Sequence, residues 1–296
     1  MYRAGLLRSE RVSAAVVVVG NITVGGSGKT PLVIALAEGL VGRGWRPGIV
    51  SRGYGGRAQS PMAVRPNSSP DQVGDESVLV ARAGWPVWIG ADRPAVAHAL
   101  LAAHTECNLI IADDGLQHYA LARDVEVAVI DATREFGNGW PLPAGPLREP
   151  SSRLAEVDAV VRLASGSAPL GSDGFTMTLV GERFVRVNAP TVTVGADAFQ
   201  GSGIHAVAGI GNPARFFAQL ESLGITAAYH AFPDHYRFTP ADLAFAGASA
   251  ILMTEKDAVK CALFADDRCW ALPVRAVIDP ALIDLIEEKL RGRQTA

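Results

Sequence analysis

Ala14-Ala15-Val16-Val17-Val18-Val19-Gly20-Asn21-Ile22-Thr23-Val24-Gly25-Gly26-Ser27-Gly28-Lys29-Thr30 is the stretch that decides the fold. Residues 14–19 are all apolar and mostly β-branched, which predicts a strand buried on both faces in the middle of a parallel sheet. From Pro31 the chain reads as a helix over residues 31–40. Leu32, Ala35, Leu36 and Leu40 form one stripe, Pro31 suits the first turn, and Gly42 or Gly44 can end it. A glycine loop between a strand and a helix turns its backbone N–H groups inward and adds the positive end of the helix, which makes a concave anion site. Lys29 can reach the β- and γ-phosphates of a nucleotide, and the Thr30 hydroxyl can ligate Mg²⁺. The nucleotide-binding set is therefore Thr23, Val24, Gly25, Gly26, Ser27, Gly28, Lys29 and Thr30. Thr23 stands where the pattern G-x-x-x-x-G-K-[ST] begins with glycine, so the strand–loop–helix context carries the reading more than the letters do.

Outward from this loop, strand and helix patterns alternate. Strands are predicted at residues 47–51, 87–90, 109–112, 125–131 and 157–163, with a helix over 93–104. That alternation argues for an α/β fold, a P-loop doubly wound and mostly parallel sheet with helices on both faces. Residues 165–174 are rich in Gly, Ser and Pro and read as a linker. Residues 175–180 and 184–187, around Gly181, read as a β-hairpin. A second α/β pattern follows, with strands at 206–210 and 251–254 and helices at 212–223 and 280–290. The expected division is a P-loop domain over 1–165, a linker with a β-hairpin over 166–198, and a smaller C-terminal α/β domain over 199–296.

Bulk properties narrow the function classes. The 296 residues suggest two domains, and 49% hydrophobic against 19% charged residues allow a large core. A net charge of −3, with both signs spread along the chain, gives no reason to expect nucleic acid as a partner. Cys107, Cys261 and Cys269 have no CxxC spacing and fit free thiols in a reducing cytoplasm. No segment approaches the roughly 20 apolar residues of a membrane span. The run at residues 14–19 follows Arg3, Arg8 and Arg11 but is too short for a signal peptide.

The second chemical signal is Asn108-Leu109-Ile110-Ile111-Ala112-Asp113-Asp114, an apolar strand ending in two carboxylates. Ligands of open α/β sheets bind at the carboxyl ends of strands, and a P-loop protein needs an acid there for Mg²⁺. Asp113 is the better placed, with Asp114 beside it. Asp-Gly is also a turn signal, so a solvated strand end is the plain alternative. Gln117 and His118 follow closely and can line the same site. Arg52, just after a strand, is suited to bidentate contact with a phosphate of ATP or of a second substrate. Asp75 precedes a predicted helical segment over 76–83, where an acid also serves as a helix N-cap or first-turn residue.

Eight segments, in order, resemble the lipid A 4'-kinase family (tetraacyldisaccharide 4'-kinases). They are Gly20 through Pro31; Ser51-Arg52-Gly53-Tyr54-Gly55-Gly56; Gly74-Asp75-Glu76; Asp113-Asp114-Gly115-Leu116-Gln117-His118; and Gly137-Asn138-Gly139-Trp140 running on to Pro143-Ala144-Gly145-Pro146-Leu147-Arg148-Glu149. The rest are Gly209-Ile210-Gly211-Asn212-Pro213 with Arg215-Phe216-Phe217; Phe232-Pro233-Asp234-His235; and Met253-Thr254-Glu255-Lys256-Asp257. Thr23 resembles this family's own variant of the loop. The resemblance implies transfer of the ATP γ-phosphate to the 4'-hydroxyl of an acylated glucosamine disaccharide 1-phosphate, in lipid A biosynthesis at the cytoplasmic face of the bacterial inner membrane. It implies Asp75 as base in a dyad with His235, Lys29 on the phosphates, and Asp113, Asp114 and Glu149 with Thr30 around Mg²⁺.

The chain departs from the family at its start. Only about two dozen residues precede the loop, and none form the hydrophobic helix by which family members attach to the inner membrane. Met1, Tyr2, Leu6 and Leu7 with Arg3, Arg8 and Arg11 are the expected weak basic–apolar membrane contact in its place, the alternative being a true start that lies upstream. Ser77 also stands where the family often has proline. Two rival readings share the fold. A P-loop GTPase or nucleotide switch would need an [NT]-K-x-D segment, and Thr254-Glu255-Lys256-Asp257 has the wrong spacing. An ATP-dependent ligase would activate a carboxylate and leave no stable phosphate ester.

Overall fold

A computed structural model describes residues 2, 7–164 and 174–294. The chain divides into two compact units, Met1–Leu179 with Ala276–Ala296, and Val180–Arg275. In chain order the first unit holds β1 (Ala15–Gly20), α1 (Lys29–Val41), β2 (Pro47–Ser51), β3 (Met62–Val64), α2 (Pro70–Val73), α3 (Asp75–Arg82), β4 (Val87–Ile89), α4 (Arg93–Ala103), β5 (Leu109–Asp113), β6 (Val125–Asp131), β7 (Ala159–Leu163) and β8 (Phe175–Val180). The second unit holds β9 (Arg183–Arg186), β10 (Ala189–Gly195), β11 (Ile204–Ala208), α5 (Pro213–Ser222), β12 (Ala228–Ala231), β13 (Ala250–Thr254), α6 (Glu255–Cys261) and β14 (Cys269–Leu272). The chain then returns to the first unit with β15 (Arg275–Ile278) and α7 (Pro280–Gln294).

The first sheet runs β15-β8-β7-β6-β1-β5-β2-β4-β3. β1 lies between β5 and β6, parallel to both, with Val19 opposite Asp113 and opposite Val127. β3 runs antiparallel to β4. The apolar run of β1 is buried as its pattern predicts, and each such valine contributes roughly 1.5–3 kcal/mol by leaving water. The stripe of α1 is likewise buried at Leu32, Leu36 and Leu40.

The second sheet runs β10-β9-β14-β13-β11-β12, with β11 to β14 parallel and β9 antiparallel to β14 and β10. Its strands alternate between two cores. Ile204, Ala206, Ala208 and Leu252 face Phe184, Phe199 and Phe216, while Val207, Ile251 and Met253 face Phe238 and Leu243. Strands sandwiched in this way need apolar residues at both parities.

Two expectations are corrected. Residues 175–180 and 184–187 do not pair as a hairpin: β8 extends the first sheet beside β7, and β9 pairs with β10 and β14 in the second. Gly181-Glu182 is the passage from one sheet to the other. The helix predicted at 280–290 does not belong with residues 199–275. β15 adds a strand beside β8, and α7 buries Leu282, Ile286 and Leu290 in the first unit. The linker at 165–174 falls almost wholly outside the described residues, as do Met1, Arg3 and Leu6. Arg11 pairs with Asp124 at 2.9 Å, so it is a structural cation tying the chain before β1 to the start of β6. Among the described residues no helix is long and apolar enough to cross a membrane. Cys107, Cys261 and Cys269 are free and buried.

Candidate active site

The loop after β1 and the end of β5 meet because their strands are neighbours. Gly28 caps α1 in the left-handed region (φ 82°), a conformation costly for any residue with a Cβ, and no side-chain hydrogen bond caps the helix N-terminus. The Lys29 ammonium lies 3.3 Å from Asn21 Oδ1 and 3.5 Å from Asp114 Oδ1. Thr30 and Ser27 are buried beside it, and the Ser27 hydroxyl makes no hydrogen bond. Backbone pairing holds the loop's outer flank. Val24 N–H donates to the Pro146 carbonyl and Arg148 N–H to the Ile22 carbonyl. An open cleft follows, lined by Gly25, Ser27, Asp131, Arg134 and Pro146.

The two aspartates differ in kind. Asp114, in the left-handed region (φ 50°), takes two hydrogen bonds from Arg148 Nη1 at 2.9 and 3.1 Å. Burial pushes its carboxyl up, but Lys29 and Arg148 outweigh burial and hold it below the usual range. Asp113 is only 2% exposed, and its Oδ1 has no hydrogen-bond partner. Burial, then the nearby Glu76 charge, push it from 3.8 up to about 7, against the pull of Lys29. A buried carboxylate oxygen without a donor fits a cation. Mg²⁺ takes one or two carboxylates together with substrate phosphates and water, so Asp113 with the Thr30 hydroxyl is an adequate protein share. Among the described residues no three His, Cys, Asp or Glu side chains converge as a metal group. Glu149 instead accepts from the Tyr119 hydroxyl at 2.9 Å and pairs with Arg153 at 3.3 Å.

The opposite edge is built by two loops packed face to face. Residues 53–56 lie against 72–74 so closely that a Cβ on Gly74 (φ 84°) would stand 2.5 Å from the Tyr54 carbonyl oxygen. This packing sets Asp75 at the start of α3, buried, with Glu76 N–H donating to its Oδ1 at 2.9 Å. The N-cap is Gly74, so capping does not account for Asp75. Arg52 is exposed, and its charge acts on His118 and Arg93. His118 is lowered to about 4 by burial, then by Arg93 and Arg52, and is neutral at pH 7.

Arg93 escapes the sequence pattern. It is 1% exposed at the start of α4, donates from Nη1 to the Gly90 carbonyl, and has no hydrogen-bond partner at Nε or Nη2. Burial brings it down to about 10, against the pull of Asp113 and Asp114. A cation in the first turn of a helix opposes the helix dipole, and that was the available signal.

In the second unit, the loops after β11, β12 and β13 leave one end of a parallel sheet, where α/β sheets bind ligands. His235 sits there in the left-handed region (φ 57°), its N–H donating to the Gly209 carbonyl at 3.1 Å and to Asp234 Oδ1 at 3.0 Å. Gly209 N–H in turn donates to the wholly buried Asp257.

A family model described as tetraacyldisaccharide-1-P 4'-kinase (LpxK) matches residues 1–291. The chain belongs to this family. Tetraacyldisaccharide 4'-kinases from Dechloromonas aromatica and Azoarcus sp. are 53% and 52% identical, over 98% and 100% of this chain and 88% of each relative. A crystal structure of Aquifex aeolicus LpxK, titled as an "apo" form in complex with ATP, superposes with a TM-score of 0.79 at 29% identity, covering 98% of this chain and 92% of that one. For a 4'-kinase, the first unit brings together Lys29, Thr30, Asp113 and Asp114, with Glu76, Arg52, Arg93 and His118 close enough to shift the site's charges.

Proposed function

We propose that this chain transfers the γ-phosphate of ATP to the 4'-hydroxyl of tetraacyldisaccharide 1-phosphate, the phosphorylation that its family's name describes. One observation carries the mechanism: the buried Asp113 oxygen, without a hydrogen-bond donor, beside the glycine loop that ends in Lys29 and Thr30. Thr30 and Asp113 would hold Mg²⁺, with Asp114 beside them. Bound there, Mg²⁺ would supply charge neutralisation across the β- and γ-phosphates. Glu149, occupied by Tyr119 and Arg153, would support the 148–153 segment that presents Arg148 to Asp114.

Lys29 and the N–H groups of residues 23–28 bind the phosphates. Asp75 accepts the proton of the 4'-hydroxyl as its oxygen attacks the γ-phosphorus, and ADP leaves. The family resemblance assigns His235 the part of orienting that carboxylate. Arg52 meets a substrate phosphate, and the neutral His118 offers a hydrogen bond without adding charge. The acceptor is a lipid, which favours a membrane surface, and the family resemblance makes it the cytoplasmic face of the bacterial inner membrane.

The test is incubation with ATP, Mg²⁺ and the disaccharide 1-phosphate, read by mass spectrometry. One added phosphate, chemically stable and dependent on Mg²⁺, is expected. ATP hydrolysis without an ester product would refute the reading. His235→Ala should lower kcat more than it weakens ATP binding.

A further inference from the structure

Lys256 is a cation where the local physics disfavours one. It is the second residue of α6, at the positive end of the helix, between Glu255 and Asp257. Its side chain is only 15% exposed, and its ammonium lies 3.3 Å from His235 Nε2 and 3.5 Å from Asp234 Oδ1. An ion pair with Asp234 alone could be made from a solvated position, at a partly exposed site worth about 1 kcal/mol or less. It gives no reason to bring the ammonium to an imidazole nitrogen.

We propose that Lys256 is a positioning residue for His235: by donating to Nε2 it holds the imidazole as the neutral Nδ1–H tautomer, so that His235 offers a ring N–H to its partner carboxylate. This rests on the reading of His235 as the partner of Asp75. An ammonium has three donors and no acceptor. Nε2 must therefore carry the lone pair, and the remaining proton of a neutral ring sits on Nδ1. An imidazolium would set two cations 3.3 Å apart, with the Asp234 carboxylate 3.8 Å from Nε2. A base oriented by histidine needs a donor from the ring, and the Nδ1–H tautomer supplies it at the nitrogen that Lys256 does not meet.

The surrounding structure fixes both partners. His235 is held in a strained left-handed conformation, of the kind that persists at functional sites, by its N–H, shared between the Gly209 carbonyl and the Asp234 carboxylate. α6 is pinned by Asp257, which accepts from Gly209 N–H at 3.0 Å and the Thr254 hydroxyl at 2.7 Å and pairs with Lys260 at 2.7 Å. Gly209 also carries the carbonyl that receives the His235 N–H, so the lysine and the histidine hang from one small frame.

The experiment is long-range ¹H–¹⁵N spectroscopy of the full-length protein labelled with ¹⁵N-histidine, the His235 signals being assigned by their loss in His235→Gln. Wild type should show a pyrrole-type Nδ1 and a pyridine-type Nε2 at neutral pH. In Lys256→Met the tautomer should revert towards Nε2–H. Its kcat should fall roughly 10- to 100-fold with KM for ATP unchanged, and Lys256→Arg should recover part of both. A wild-type His235 found as Nε2–H or as imidazolium would overturn the proposal, whether or not any variant folds. So would an unchanged tautomer in a folded Lys256→Met. Failure of the dyad is a separate result, read from His235→Ala turning over at the wild-type rate.

Discussion

Replacing Asp113 by Asn should make the protein more stable and the enzyme nearly inactive. The carboxyl is pushed from 3.8 in the unfolded chain to about 7 in the fold. At about 1.4 kcal/mol per pH unit, keeping it ionised above pH 7 costs the native state on the order of 4 kcal/mol. The native state binds this proton more tightly than the unfolded state does, so the cost is fully present above pH 7, fades as pH falls, and is gone below 3.8. Asparagine keeps the shape and removes the charge, but its buried amide gives back roughly 1–3 kcal/mol. A net gain of about 2 kcal/mol at pH 8 corresponds to a rise in Tm of roughly 4–8 °C for a unit of this size. The assay is thermal unfolding by circular dichroism in chelator-treated buffer, at pH 8 and pH 5. The gain at pH 8 should vanish by pH 5. Adding Mg²⁺ and ATP should raise Tm in wild type far more than in the variant. An Asp113→Asn protein no more stable than wild type at pH 8, or equally stabilised at both values, would refute the account of this carboxylate.

Lys29→Ala and Asp75→Ala should each lower kcat by orders of magnitude while circular dichroism stays native, and near-normal turnover in Asp75→Ala would remove the base assignment. His118, lowered from 6.5 to about 4, costs stability only as pH falls from about 6.5 towards 4, because the unfolded chain takes up its proton first. His118→Gln should therefore lose less of its urea midpoint than wild type between pH 7 and 4.5, and parallel losses would argue against a neutral histidine. Gly74→Ala should lower both Tm and kcat, since strain of roughly 1–3 kcal/mol adds to the clash with the Tyr54 carbonyl. Gly55→Ala, also at positive φ but with open space around it, should show the strain alone.

The nucleotide half was legible because its signals are local. A buried parallel strand has to read as a continuous apolar run, and β1, β2, β5 and β6 fall within a residue or two of where the pattern puts them. The loop follows from glycine chemistry and the metal acid from the end of β5. What the sequence hid is non-local. The short strands β3, β12, β14 and β15 are defined by their neighbours more than by their own three or four residues. β8 and β9 look like a hairpin because each has strand propensity and a glycine stands between them, and only the pairing sends them to different sheets. The roles of Arg93 and Lys256 are hidden for a related reason. Each lies in a predicted or plausible helix start, and its meaning depends on a buried acid pair in one case and a distant histidine in the other.

The second unit is an excursion between two adjacent strands of the first, β8 and β15. During synthesis at about 5–20 residues per second, β1 to β8 emerge early, yet their sheet lacks its edge strand and the cover of α7 until residues 275–294 have been made. Nascent chains will thus hold an incomplete nucleotide unit beside a second unit whose residues have already all been made. A stop falling between residues 275 and 290 will spoil the ATP-binding half while sparing the half that was translated just before it.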